Sequence, residues 1–198
     1  MISQLKKRRK LNNSIIILSS DHGESFAHDY WGHGGSLNEP STRIPLIIKN
    51  HNQIQGKIID SLVGQEDISP TILELANIQV PLWMEGRSLV PLMRDISIPS
   101  KPIFSMNLFS NPKGYKIIKG TFAVWKGNYK LIHYLEENKS LLFNLRNDPD
   151  ELDNLFDKEP EISQRLLSLI HENLDEANEN ISRGLAVRGS RNDQGVLD

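Results

Sequence analysis

Apolar residues fall along the chain in two regimes. Up to about residue 106 they come as short runs separated by long polar stretches. The first run, Ile15-Ile16-Ile17-Leu18, is wholly apolar and β-branched. It suits a strand buried on both faces, as in a parallel sheet covered by helices. Ile44-Pro45-Leu46-Ile47-Ile48 predicts a second strand. Before them, Met1 to Lys10 predicts a Lys/Arg-rich helix that Asn12-Asn13-Ser14 ends. Helix, break and buried strand make the second half of an αβ unit, so a chain in this order is expected to have lost the beginning of its domain. Asp67 to Ala76 predicts a helix with Ser69 as N-cap, Pro70 in the first position and Ile68, Ile72, Leu75 and Ala76 on one face. A looped stretch follows, with a short helix near Leu89–Met93 and a strand at Pro102–Met106.

Beyond residue 106 the pattern changes. Tyr115–Ile118, Thr121–Trp125, Tyr129–Tyr134 and Ser140–Leu145 are short β-rich pieces, broken at Gly120, Gly127-Asn128 and Glu136–Lys139. Such close spacing predicts an antiparallel meander. A helix from Pro160 to Ala177 carries Ile162, Leu166, Leu169, Ile170 and Leu174 as its apolar stripe, with Glu159 and Glu161 at its dipole-favoured start. Residues 181–198 hold three glycines and few apolar residues, and are expected to be unstructured. The predicted fold is α/β. Residues 1–105 form the terminal part of an α/β domain, and 106–180 a small antiparallel sheet with a packing helix.

Composition removes several classes. The chain has 198 residues and a net charge of −2, which gives no electrostatic case for nucleic acid or an acidic membrane. The basic run Lys6 to Lys10 stands without further basic or aromatic support and reads as a solvated helix face. No cysteine is present, so thiolate metal sites and cysteine nucleophiles are excluded. No apolar run approaches the ~18–20 residues of a membrane span, and Ile15–Leu18 is too short for a signal-peptide core, so localisation is not readable.

Candidate chemistry is densest in Ser19-Ser20-Asp21-His22-Gly23-Glu24, just past the first strand, where open α/β sheets bind ligands. Asp21 offers a hard oxygen and His22 a borderline nitrogen, a pair able to hold a divalent cation. The same run also fits a plain turn whose Asp bonds its own backbone. Next comes His28-Asp29-Tyr30-Trp31-Gly32-His33-Gly34-Gly35. Here His33 could donate to an anionic oxygen or a leaving group, and Trp31 could wall an apolar or sugar-binding surface. Glu39 and Arg43, four apart, are expected to form an ion pair; substrate contact is the alternative for Arg43.

Ile15 to Glu24, then Gly32-His33-Gly34, then Arg43-Ile-Pro-Leu-Ile-Ile48, resemble the second metal-binding segment of sulfatases, in the alkaline-phosphatase-like superfamily. Asp67-Ile-Ser-Pro-Thr-Ile-Leu-Glu-Leu-Ala76 and Glu85-Gly-Arg-Ser-Leu89 resemble that family's next helix and turn. Tyr129-Lys-Leu-Ile132, Leu142-Phe-Asn-Leu145, Asp148-Pro-Asp-Glu151 and Asn154-Leu155 resemble its C-terminal signature. The likeness runs in order over roughly residues 1–175.

The resemblance implies a fragment of a sulfuric ester hydrolase, with Asp21 and His22 as metal ligands and His33 as sulfate contact or proton donor. It implies a divalent metal, calcium first and magnesium or manganese next, and a small-molecule or carbohydrate sulfate ester as substrate. Sulfatases use a formylglycine made from a Cys/Ser-x-Pro-x-Arg motif. In the nearest stretch, Asn38-Glu-Pro-Ser-Thr-Arg43, Asn38 takes the nucleophile's place and Arg43 falls one residue late. Formylglycine is therefore absent from this chain, a missing N-terminal segment of the same protein is implied, and the chain alone is expected to be inactive. No Lys lies between Asp21 and Arg43, where sulfatases often place one against the sulfate. A phosphonate or phosphodiester hydrolase of the same superfamily and a non-catalytic partner module are the alternatives.

Overall fold

The computed structural model describes residues 1–27, 30–108, 111–112 and 114–192. In chain order the elements are α1 (Ile2–Lys7), β1 (Ile16–Ser19), β2 (Ser25–Ala27), β3 (Tyr30–Gly32), α2 (Glu39–Thr42), β4 (Leu46–Lys49), α3 (Ile68–Leu75), α4 (Val90–Met93), β5 (Ile103–Asn107), β6 (Thr121–Lys126), β7 (Tyr129–Tyr134), β8 (Lys139–Asn144) and α5 (Pro160–Asn192). They divide into two compact units. One comprises residues 1–23 and 43–101, the other 24–42 and the chain from Pro102 on.

In the first unit β1 pairs antiparallel with β4, Leu18 opposite Ile47, not parallel as its apolar run suggests. Among the described residues the two strands form a ribbon of their own, and Leu18 and Ile47 are 52% and 60% exposed. An apolar run reports what a strand could bury; pairing direction and cover come from tertiary partners. Helix α3 also differs from its reading. Its N-cap is Asp67, not Ser69, and its buried residues are Pro70, Thr71 and Leu75, while Ile72 is exposed.

The reason lies in the polar atoms around Asp67, which is fully buried. Its carboxylate accepts from the backbone N–H of Gly64 at 3.1 Å and of Arg87 at 2.8 Å, and meets Lys101 Nζ at 3.1 Å. One turn on, Thr71 Oγ1 donates to the Asp67 carbonyl at 2.6 Å and accepts from Leu89 N at 2.9 Å. The helix is thus rotated to point Asp67 and Thr71 at the Gly86–Leu89 turn. Satisfying those buried groups outweighs hiding Ile72.

In the second unit, β5 to β8 form an antiparallel sheet in sequence order. Its first strand is Ile103–Asn107. Tyr115–Ile118 is not a strand: the Ile117 N–H goes to Asn178 Oδ1 at 2.7 Å, and Ile117 packs into the core from irregular backbone. Gly127, at φ 63°, opens the two-residue β6–β7 turn, where a side chain would strain the backbone. Phe122, Val124, Leu131 and Leu142 on the sheet pack against Leu166, Ile170 and Leu174 of α5. Each such side chain contributes roughly 1.5–3 kcal/mol by leaving water. Helix α5 continues past the expected end at Ala177 to Asn192, so much of the segment 181–198 is helical, not unstructured; residues 193–198 lie outside the described residues.

Candidate functional site

In the first unit, the chain leaves β1 at Ser19, whose hydroxyl donates to the Pro45 carbonyl at 3.0 Å. Ser20 Oγ donates to the His22 carbonyl at 2.7 Å, closing the turn. Gln65 Nε2 donates to the carbonyls of Ser20 at 2.8 Å and Asp21 at 3.1 Å, which fixes the turn from outside. Asp21 and His22 therefore sit on a held loop.

Asp21 Oδ1 accepts the His22 backbone N–H at 3.0 Å, and Asp21 Oδ2 lies 3.7 Å from His22 Nε2. The Asp21 backbone N–H, that of His22 and then the nearby imidazole hold the Asp21 carboxyl below the ordinary carboxylate value. His22 Nδ1 lies 2.8 Å from the Gly23 carbonyl. A carbonyl only accepts, so Nδ1 carries a proton, and Nε2, on the Asp21 side, is the ring atom placed to act as a ligand. Both side chains are solvent-accessible, Asp21 at 86%.

In the second unit, the β2–β3 hairpin pairs Ser25 with Gly32 and Phe26 with Trp31. One step further out, His33 Nδ1 donates to Glu24 Oε2 at 3.0 Å. The carboxylate thereby fixes the ring's tautomer and directs Nε2 away from Glu24. Gly32 has φ 121°, a conformation that favours glycine. Sequence reasoning did not single out Glu24; its signal was its place in the Ser-Ser-Asp-His-Gly-Glu run. His28 and Asp29 lie outside the described residues.

The expected Glu39–Arg43 ion pair does not form. Glu39 Oε1 accepts from Trp125 Nε1 at 2.9 Å and from Lys130 Nζ at 3.1 Å. Lys130 Nζ also meets Glu151 Oε1 at 2.7 Å and lies 4.6 Å from the centre of the Trp125 ring. The Glu39 backbone N–H donates to Glu151 Oε2 at 2.7 Å. A buried ammonium with two carboxylates is a stronger claim on Glu39 than a solvated guanidinium. Arg43 is exposed, with no ion pair among the described residues.

Residues 28–180 match the family model described as N-sulphoglucosamine sulphohydrolase, C-terminal. Arylsulfatase K of Xenopus laevis is 31% identical over 175 residues, which cover 84% of this chain and 32% of that protein. The chain thus spans about a third of the length of this curated relative. Among solved structures, BT4656 in complex with D-glucosamine-2-N,6-O-disulfate has a TM-score of 0.70 at 24% identity, over 90% of this chain and 37% of that one. The phosphonate monoester hydrolase of Silicibacter pomeroyi has a TM-score of 0.71 at 20% identity, over 90% and 37%. These two likenesses show the shared fold. With the family model covering most of the sequence, the chain belongs to the sulfatases, to whose C-terminal part it corresponds.

Proposed function

We propose that this chain carries part of the divalent-metal centre of a sulfuric ester hydrolase, through Asp21 and His22, and an anion contact through His33. The observation that carries the reading is the Asp21–His22 pair. Ligands about 2.0–2.6 Å from one cation, set roughly at right angles, lie about 3–4 Å apart, and the two atoms are 3.7 Å apart. With Nδ1 bonded to the Gly23 carbonyl, Nε2 is the ring atom placed to act as a ligand, so the residues fit a cation. A mixed oxygen–nitrogen pair suits calcium, as the family suggests, and equally magnesium or manganese. The bound metal would polarise the sulfate oxygens. His33, oriented by Glu24, would donate from Nε2 to an anionic oxygen or to a departing oxygen.

Family catalysis needs a covalent nucleophile that this sequence lacks. The 198-residue chain should bind manganese, broadening the His22 imidazole resonances, and Asp21→Ala should abolish that broadening. Equal broadening in the variant would overturn the metal assignment. No p-nitrophenyl sulfate turnover is expected with calcium, magnesium or manganese; metal-dependent turnover lost in Asp21→Ala would show a complete site. A phosphonate or phosphodiester substrate is the second reading, supported by the Asn38–Ile47 stretch, and tighter binding of methylphosphonate than of sulfate at His33 would favour it.

A further inference from the structure

The β2–β3 hairpin exposes two aromatic rings that the folding of its unit does not use. Phe26 is 67% and Trp31 77% exposed. They are direct cross-strand partners, edge to face with ring centroids 5.8 Å apart. Fixing one indole against another ring in water makes a rigid, apolar surface with a polar N–H at its edge. Exposed aromatics are also common without a ligand, so what surrounds the pair decides its meaning.

Glu24 and Phe26 are two apart on one arm, Trp31 and His33 on the other. The hydrogen-bonded Glu24–His33 pair thus sits just past the paired residues of the hairpin, one step along the chain from the face that carries the Phe26–Trp31 pair. We propose that this face is a ring-stacking subsite for a saccharide that bears the sulfate ester. The proposal rests on the reading of His33 as the anion contact and adds what lies beside the anion.

Chemistry favours a sugar over other occupants. A pyranose offers an apolar face of C–H groups to the indole and a rim of hydroxyls. Glu24 Oε1 can accept from those hydroxyls, since Oε2 is the oxygen that holds His33. Two residues of extended chain span about 6.6 Å. That is the scale of the step from a sulfate ester to the body of the ring that carries it. An inorganic anion would use only His33. A protein partner would need a larger apolar patch than two rings flanked by an ion pair.

The test is NMR titration of the isotopically labelled 198-residue chain. The indole N–H signals of Trp31, Trp83 and Trp125 are assigned by single Trp→Phe substitutions. Glucose 6-sulfate, glucose and sodium sulfate are the probes. Glucose 6-sulfate should shift the Trp31 indole saturably, whereas sodium sulfate should shift His33 and leave Trp31 in place. Trp31→Ala should weaken glucose 6-sulfate binding about tenfold, from the loss of one ring stack, without changing sulfate affinity. Trp31→Tyr, which keeps a ring, should retain most of the affinity and controls for hairpin folding. A Trp31 signal unmoved by glucose 6-sulfate, unchanged affinity in Trp31→Ala, or no saturable binding at all would each overturn the subsite. His33 responding to sulfate while Trp31 stays silent overturns the subsite alone. A Trp31 response to the sugar sulfate without manganese broadening at His22 overturns the metal reading and upholds the subsite.

Discussion

Lys130 has no exposed surface, and its ammonium is held by Glu39 and Glu151. Replacing it with Met would leave two carboxylates buried together without their cation. Lys130→Met is therefore expected to destabilise the second unit by about 3–5 kcal/mol, read from urea unfolding; a loss under about 1 kcal/mol would mean that water reaches the cluster. At Gly86, an added Cβ would overlap the Glu66 carbonyl, part of the backbone leading into α3. Gly86→Ala should cost about 1–3 kcal/mol in the same assay, while Gly127→Ala acts only through its turn. At this scale the sequence was legible where partners are adjacent. Asp21 and His22 could be paired on paper because one peptide bond joins them. Glu39 and Lys130 are 91 positions apart, and only packing decides that Glu39 chooses Lys130 over the nearby Arg43.

Helix α5 meets its sheet through Leu166, which is fully buried. Leu166→Ala should cost about 2–5 kcal/mol, and an exposed control such as Leu152→Ala under about 0.5 kcal/mol. Acid sensitivity belongs to the same layer. His133 of β7 is 1% exposed, with Nδ1 2.9 Å from Ser140 Oγ and its ring 5.5 Å from that of His171 on α5. Burial, then the charge of His171, lowers its pKa, against the Lys139 backbone, which raises it. A histidine lowered on folding stays neutral in the folded state while the unfolded chain takes up a proton. Stability should therefore fall as pH drops below about 6.5, and His133→Gln should flatten the melting-temperature change between about pH 7.5 and 5.5. Elements with a clear period, the meander and α5, could be read in advance. Tyr115–Ile118 could not, since its alternation is that of a strand but its backbone partner, Asn178, lies on a distant helix.

The two units differ in what they bury. Most of the largest fully buried side chains belong to β6, β7, β8 and α5, whereas the β1–β4 ribbon leaves apolar residues in water. Amide exchange should therefore be slowest in β6–β8 and fast in β1 and β4; uniform protection would contradict this division. The whole-chain outline was legible because the family motifs keep their order, but the assignment of residues 24–42 to the sheet-bearing unit was not, since nothing local in them signals it. That assignment bears on how the protein could be divided. The polypeptide from Pro102 onward would contain the sheet and α5 but not Glu39, and of the two carboxylates that hold Lys130 among the described residues it would keep Glu151. Such a half should fold poorly by itself and recover when residues 24–42 are added as a separate peptide, a non-covalent reconstitution in which Glu39→Gln makes the peptide a weaker complement.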